Sequence, residues 1–327
     1  MGWTNRKVLV TGGAGFIGSH LAERLVALGA STRVLVRYSS LGSRGWLDTS
    51  PVAEDIEVVR GDMRDPDTVR AGVKGTDTVF HLAALIGIPY SYTAPVSYIQ
   101  TNVEGTLNLL QAALREEVGR VVHTSTSEVY GSARYVPIDE EHPLQGQSPY
   151  SATKIAADKL AEAFHLSYGL PVSTIRPFNT YGPRQSLRAV IPTIISQALE
   201  RSTIRLGNLE ALRDLNYVAD TVEGFIKMAD CPDAVGRVIN VGSGRETSIG
   251  DLARLVFRLL GKDGEIITEN ERMRPQRSEV DRLLADNSAA ARILGWKPVV
   301  GLEEGLSQTI RWIEQHVAWY RTTGYVT

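Results

Sequence analysis

Val8-Leu9-Val10-Thr11-Gly12-Gly13-Ala14-Gly15-Phe16-Ile17-Gly18, running on into Ser19-His20-Leu21, decides the reading of this chain. An apolar run enters Gly-x-x-Gly-x-x-Gly and continues into a helical pattern, the order of a strand, a tight turn and a helix. Gly12 permits the turn, Gly15 lets a pyrophosphate approach the backbone, and Gly18 lets the helix pack close to the strand. The free N–H groups and positive end of that helix then attract the phosphates, and Phe16 and Ile17 count with the glycines as cofactor-binding residues. This stretch predicts a dinucleotide site.

Outward from it, apolar runs alternate with helical patterns, which points to βαβ units and a parallel sheet. Strands are expected at Val8–Val10, Val34–Val36, Glu57–Val59, Thr78–His81, Arg120–His123 and Val172–Arg176. Ile17, Leu21, Leu25 and Leu28 recur at helical spacing, as do Val103, Leu107, Leu110 and Leu114, and both stripes read as core. From about Gly182 the rhythm changes. Helical stretches at Val190–Glu200 and Asp220–Met228, with short strands at Ile204–Leu206 and Val238–Val241, suggest a smaller lobe. The expected architecture is α/β: a Rossmann-type doubly wound parallel sheet over 1–181 and a smaller α/β substrate lobe over 182–327. Residues 236–244 are candidates to rejoin the main sheet.

Composition narrows the class. The 327 residues are 43% hydrophobic and 22% charged, with a net charge of −2, so no basic field recruits nucleic acid or an anionic membrane. Cys231 is alone, which excludes an internal disulfide and a multi-thiolate metal site. No His/Asp/Glu set has metal-ligand spacing. No apolar run reaches a membrane-spanning length, and no signal-peptide core precedes the first strand. A cytoplasmic location is expected.

The chemistry gathers downstream. Tyr150 and Lys154 lie four apart, on one face of a helix that Pro149 suits as a start. A phenol is a poor base at neutral pH, and a nearby ammonium stabilises the phenolate. The same lysine can hydrogen-bond a nicotinamide ribose. Val121-Val122-His123-Thr124-Ser125-Thr126-Ser127-Glu128 reads as a strand ending in a polar cluster, at the carboxyl edge where open α/β sheets bind ligands. Thr126 can donate to a substrate hydroxyl. Glu128 can remove a carbon-bound proton that an adjacent ketone has acidified.

Thr11–Gly18, His81-Leu82-Ala83-Ala84, Ser125–Gly131, Tyr150…Lys154 and Arg176-Pro177-Phe178-Asn179-Thr180-Tyr181-Gly182-Pro183 stand in an order that resembles the extended short-chain dehydrogenase/reductases, in their nucleotide-sugar epimerase/dehydratase branch. Within that branch, Thr126-Ser127-Glu128 looks like GDP-mannose 4,6-dehydratases and UDP-glucuronate decarboxylases. Trp46-Leu47-Asp48 and Gln145–Tyr150 look like dehydratases of the legionaminic-acid type. The resemblance implies a tightly held NAD(P)+ that is recycled, a nucleotide-diphosphate sugar as partner, and a homodimer through the helices around Gly105–Leu114 and Ala152–Phe164. It implies a 4,6-dehydratase: Tyr150, with Thr126 and Lys154, takes the C4 hydroxyl proton while hydride leaves C4. Glu128 then takes the C5 proton, water departs from C6, and hydride returns there. Members acting on dTDP-glucose carry an aspartate where this chain has Ser127, so Glu128 must also serve the leaving hydroxyl. A UDP-glucuronate decarboxylase, a C4-epimerase and, more remotely, a non-catalytic NAD(P)-binding scaffold stay open.

For the cofactor, an acidic residue usually ends the second strand of NAD-preferring members. Here Arg37, Ser39 and Ser40 follow it, and with Arg44 they suit a 2′-phosphate, so NADP+ is favoured over NAD+. Asp62 and Met63 are placed beside adenine, and Leu82, Ala83, Ala84 and Pro177 along the dinucleotide. On the substrate side the family pattern carries over to Asn179, Arg213 and Arg274 at the diphosphate. Arg184 and Arg188 follow the Gly182-Pro183 turn and are candidates for the base, the sugar or a C6 carboxylate.

Overall fold

The computed structural model describes residues 2–273 and 275–320. Its main sheet takes β1 (Lys7–Thr11), β2 (Ser31–Val36), β3 (Ile56–Arg60), β4 (Thr78–His81), β5 (Arg120–Thr124) and β6 (Val172–Pro177). Each strand expected before residue 182 lies inside one of these. A further strand from the C-terminal half, Val238–Val241, pairs in parallel with β6, with Asn240 opposite Arg176. The seven strands run in the spatial order Val238–Val241, β6, β5, β4, β1, β2, β3, all parallel.

Alternation along the strands explains why both faces must be covered. Val8 and Val10 face one core, with Leu21, Leu25 and Phe80, while Leu9 faces the other, with Leu109, Val121 and Val172. Helix α1 (Phe16–Ala27) covers the first face. Helices α2 (Pro66–Val73), α3 (Ile88–Thr93), α4 (Pro95–Tyr98), α5 (Gly105–Arg115) and α6 (Pro149–Tyr168) follow, and α2, α5 and α6 frame the second core. α6 is defined at both ends. Ser148 and Ser151 form a reciprocal capping box, Pro149 opens the first turn, and Gly169 ends it at φ 69°.

The second half adds β7 (Asn179–Tyr181), α7 (Val190–Glu200), β8 (Thr203–Leu206), β9 (Leu212–Tyr217), α8 (Val218–Asp230), β10 (the Val238–Val241 strand), β11 (Glu246–Ser248), α9 (Ile249–Leu259), β12 (Glu265–Thr268), β13 (Arg282–Leu283), α10 (Ser288–Leu294) and α11 (Leu302–Gln315). β9 is the centre of a small mixed sheet, antiparallel to β11 and parallel to β7 and β13. α8 returns to pack on α1 and against β5 and β6, so residues beyond 182 complete the first face of the main sheet. Among the described residues no helix is long and apolar enough to cross a membrane, and no group of three His, Cys, Asp or Glu residues could hold a metal ion.

Candidate active site

The strand order reverses between β1 and β4, the place where doubly wound sheets open a ligand crevice. The glycine turn lies there. Gly12 has φ 71°, and a Cβ on it would lie 2.9 Å from the backbone nitrogen of Ala83, so the β1 and β4 loops touch through a bare backbone. A Cβ on Gly18 would lie 2.3 Å from the Gly12 carbonyl oxygen. At Gly15 a Cβ would meet Gly12 O at 3.2 Å, a tight contact, with no other heavy atom of the described residues close to it beyond its chain neighbours. α1 starts at Gly15 with no side-chain cap, which leaves its first N–H groups for an anion. These features fit a dinucleotide pyrophosphate. Gly18→Ala is therefore expected to lower stability by about 1–3 kcal/mol and to abolish dinucleotide retention, read by thermal melting and by ultraviolet analysis of the purified protein. Wild-type retention in that variant would remove Gly18 from the close approach.

His81, absent from the expected site residues, holds this crevice together. The Thr106 hydroxyl donates to Asn102 O at 2.6 Å, so His81 Nε2–H must donate to Thr106 Oγ1, at 3.0 Å. His81 Nδ1 then accepts the Thr11 hydroxyl at 2.9 Å, and Thr11 Oγ1 accepts Leu82 N–H and Ala83 N–H, each at 3.1 Å. Burial holds the His81 imidazole well below its ordinary pKa, so it stays neutral and the chain of donors stays directional.

Tyr150 and Lys154 lie on the buried face of α6, as their spacing predicts. Burial pushes the Tyr150 phenol well above its ordinary pKa; the Thr126 hydroxyl opposes this and the nearby Glu128 carboxylate adds to it. Thr126 caps a short turn, Ser127–Tyr130, by accepting Glu128 N–H at 3.2 Å, which leaves its own O–H to donate towards Tyr150. Glu128 is only 9% exposed and Ser127 only 2%, so neither is a solvated turn residue. Tyr98 stands edge-on to Tyr150 at 6.3 Å. Lys154 Nζ donates to Thr124 O at 2.6 Å. Burial pulls the Lys154 ammonium down to about 8, with Asp158 opposing.

Asp158 was missed by sequence reasoning, although it follows Lys154 by one helical turn. It is buried, and it accepts Ser125 Oγ–H at 2.7 Å, His123 Nε2–H at 3.2 Å, and Arg176 Nε–H and Nη2–H at 3.2 and 3.0 Å. Arg176 also donates to Tyr130 Oη at 2.8 Å, and Tyr130 donates to Asn240 Oδ1 at 2.7 Å. The signal available in sequence was the third member of the Tyr150, Lys154, Asp158 series on one helical face.

The remaining expected site residues divide. Arg37, Ser39 and Ser40 follow β2 at the surface, and Asp62, after β3, lies within the field of Arg37 while hydrogen-bonded to Arg64 at 2.6 Å. The backbones of Leu82 and Ala83 lie against Gly12, Ala84 follows them, and Pro177 ends β6. Met63 turns its side chain into the core, where a Cβ on Gly105 would lie 2.8 Å from it. Asn179 carries a buried amide oxygen without a partner among the described residues, the state expected of a group awaiting a ligand. Arg213 is buried on β9, its guanidinium on Leu212 O at 3.0 Å and Glu279 at 3.3 Å. Arg184 is engaged with α1: it donates to Ser19 Oγ at 3.1 Å and Glu23 at 2.8 Å, beneath the Trp312 ring. Arg188 reaches the Gly87 and Tyr98 side of the cleft. Arg274 lies outside the described residues.

One contact was wholly unforeseen. Trp46 N–H donates to Ala14 O in the glycine turn at 3.1 Å, and its ring meets Trp312 and Trp319 at 6.0 and 5.0 Å. The loop after β2 and the C-terminal helix thus close on the dinucleotide turn together.

Residues 9–309 match the family described as GDP-mannose 4,6 dehydratase. The putative UDP-glucose 4-epimerase of Methanocaldococcus jannaschii is 31% identical, over 94% of this chain and 99% of that one. A dTDP-glucose 4,6-dehydratase of Streptomyces antibioticus is 33% identical, over 96% of this chain and 94% of its own length. The structure of DesIV, a dTDP-glucose 4,6-dehydratase from Streptomyces venezuelae solved with NAD bound, superposes with a TM-score of 0.86 at 32% identity, covering 96% of this chain and 98% of that one. With that turn, that Tyr150–Lys154 pair and these matches, the chain belongs to the GDP-mannose 4,6-dehydratase family of extended short-chain dehydrogenase/reductases, the nucleotide-sugar dehydratases and epimerases.

Proposed function

We propose that this protein is a nucleotide-sugar 4,6-dehydratase that converts a UDP- or GDP-linked hexose or N-acetylhexosamine to its 4-keto-6-deoxy form. The observation that carries the reading is Glu128, whose backbone N–H donates to Thr126 Oγ1 and whose buried carboxylate lies within the field of the Tyr150 phenol. Simple C4 epimerisation has no need of a base there, whereas dehydration requires one for C5. A bound NAD(P)+ supplies a hydride acceptor for C4 and a donor for C6. Tyr150 takes the C4 hydroxyl proton, with Lys154 offsetting the phenolate charge and Thr126 orienting the hydroxyl. Glu128 takes the C5 proton that the 4-ketone has acidified and passes it to the departing C6 hydroxyl, which leaves as water; C5 then gains a proton from solvent as hydride reaches C6, and Tyr150 returns its proton to solvent. Ser127 lies beside that path as a hydrogen-bonding group and is too weak an acid to replace the glutamate. Asn179 and Arg213 are proposed to hold the diphosphate, and Arg213 would then share its guanidinium with Glu279.

Mass spectrometry after incubation with UDP- and GDP-N-acetylglucosamine, GDP-mannose, UDP-glucose, dTDP-glucose and UDP-glucuronate tests this. Loss of one water from one of them is expected. Loss of carbon dioxide from the glucuronate alone would replace the reading by decarboxylation, and inversion at C4 by NMR without mass change would replace it by epimerisation.

Arg37, exposed where an NAD-preferring chain carries an acid, leads us to propose NADP+ as the cofactor, with NAD+ the competing choice. A hydrogen bond to a charged group is worth about 1.5–3 kcal/mol. Arg37→Ala is therefore expected to weaken NADP+ binding roughly tenfold or more and leave NAD+ unchanged, as read by calorimetry. Equal, small losses for both cofactors would reassign Arg37 to the adenine face.

A further inference from the structure

We propose that Asp158 is a positioning residue for the Tyr150–Lys154 pair: its buried carboxylate, one helical turn beyond Lys154, offsets the charge of the buried ammonium and keeps it beside the phenol. The inference rests on Tyr150 and Lys154 acting as the proposed function assigns them.

The geometry separates this role from simple packing. A buried carboxylate is costly unless paired, and Asp158 meets donors from β5 (His123, Ser125) and β6 (Arg176). Two of those three donors are neutral. Burial pulls the His123 imidazole below its ordinary pKa, so it gives Asp158 a hydrogen bond without a charge. The charged groups around the carboxylate are therefore Arg176 and Lys154. Asp158 itself, raised by burial and lowered by the His123 hydrogen bond and by Arg176, stays below the ordinary carboxylate range and is ionised.

Lys154 in turn faces His81 on β4, His123 on β5, and Tyr150 and Asp158 on its own helix. Both histidines are held neutral; Tyr98 on α4 and Glu128 bear on the phenol, and Asp158 bears on both groups, holding the ammonium charged while adding a smaller push upward on the phenol. Asp158 is thus the anion that answers the desolvation of Lys154, and Arg176 competes with Lys154 for it. The sign follows from the charges. Removing Asp158 must lower the pH at which Lys154 loses its proton, and removing Arg176 must raise it. A residue that merely filled space would move neither.

The test follows Lys154 itself, in protein carrying [13Cε]lysine, with its NMR resonance assigned by disappearance in Lys154→Arg. No substrate is needed. The wild-type midpoint is expected near pH 8, where the ammonium is charged below and lost above. Asp158→Asn is expected to lower that midpoint by about one pH unit or more, and Arg176→Gln to raise it. Asp158→Glu, which keeps the charge, is expected to restore most of the Asn variant's shift. Midpoints that coincide in wild type, Asp158→Asn and Arg176→Gln would overturn the proposal. If Asp158→Asn does not fold, an unmoved midpoint in Arg176→Gln alone overturns it. Shifted midpoints in a protein that turns over no nucleotide sugar would sink the proposed function and leave the Asp158–Lys154 coupling standing.

Discussion

Tyr150→Phe is expected to lower turnover by about 10²–10⁴-fold, the range that one positioned general base contributes. The variant keeps the ring packing against Tyr98 and loses only an oxygen whose partner is the Thr126 hydroxyl. Fold and cofactor retention should therefore be close to wild type by melting and by ultraviolet spectroscopy. In the proposed mechanism the effect belongs to the first step, because without the phenol nothing accepts the C4 hydroxyl proton as hydride leaves. In single turnover no 340-nm absorbance should develop. The structure also says why the phenol needs help: burial alone drives its pKa up, so the base forms only when cationic neighbours repay that cost. Turnover within a few-fold of wild type would remove Tyr150 from the mechanism and revive a non-catalytic dinucleotide-binding role.

Glu128→Gln is expected to split the reaction. In the proposed mechanism C4 oxidation depends on Tyr150, Thr126 and Lys154, all intact in this variant, and the Glu128 backbone N–H still reaches Thr126 Oγ1. Reduced nicotinamide should therefore accumulate in a single turnover. The amide cannot take the C5 proton, so water loss should fall by about 10²–10⁴-fold and the reduced cofactor should persist. Removing the carboxylate also removes a charge that opposes phenolate formation, so C4 oxidation itself should be no slower. Normal water loss would strike Glu128 from the dehydration step. Failure of both half-reactions would assign the residue to substrate placement instead.

Much of this machinery was legible before the fold was seen, for reasons that belong to particular residues. The glycines at 12, 15 and 18 encode local backbone approach, which spacing alone can express. Tyr150 and Lys154 share a helical face whatever else the chain does, and Pro149 marks where that helix begins. The core strands read clearly because a parallel sheet buried on both faces demands continuous apolar runs such as Val8–Val10 and Val121–Val122. What stayed hidden depends on distant partners. The part played by His81 needs Thr11 on one side and Thr106 on the other. Arg184 looked free to face the cleft; its engagement with Ser19 and Glu23 spans about half the chain.

By itself, then, the sequence determined the class of fold, the position of the glycine turn and the identity of the residue pair on α6, since each follows from local conformation and periodicity. Tertiary structure alone decided which polar side chains are dry. Asp158 would be a solvated helical carboxylate if β5 and β6 did not bring His123, Ser125 and Arg176 around it, and Glu128 would be a turn residue if Tyr150 were not packed beside it. The physical reason is that desolvation and charge pairing act through space, between groups that the chain order keeps far apart.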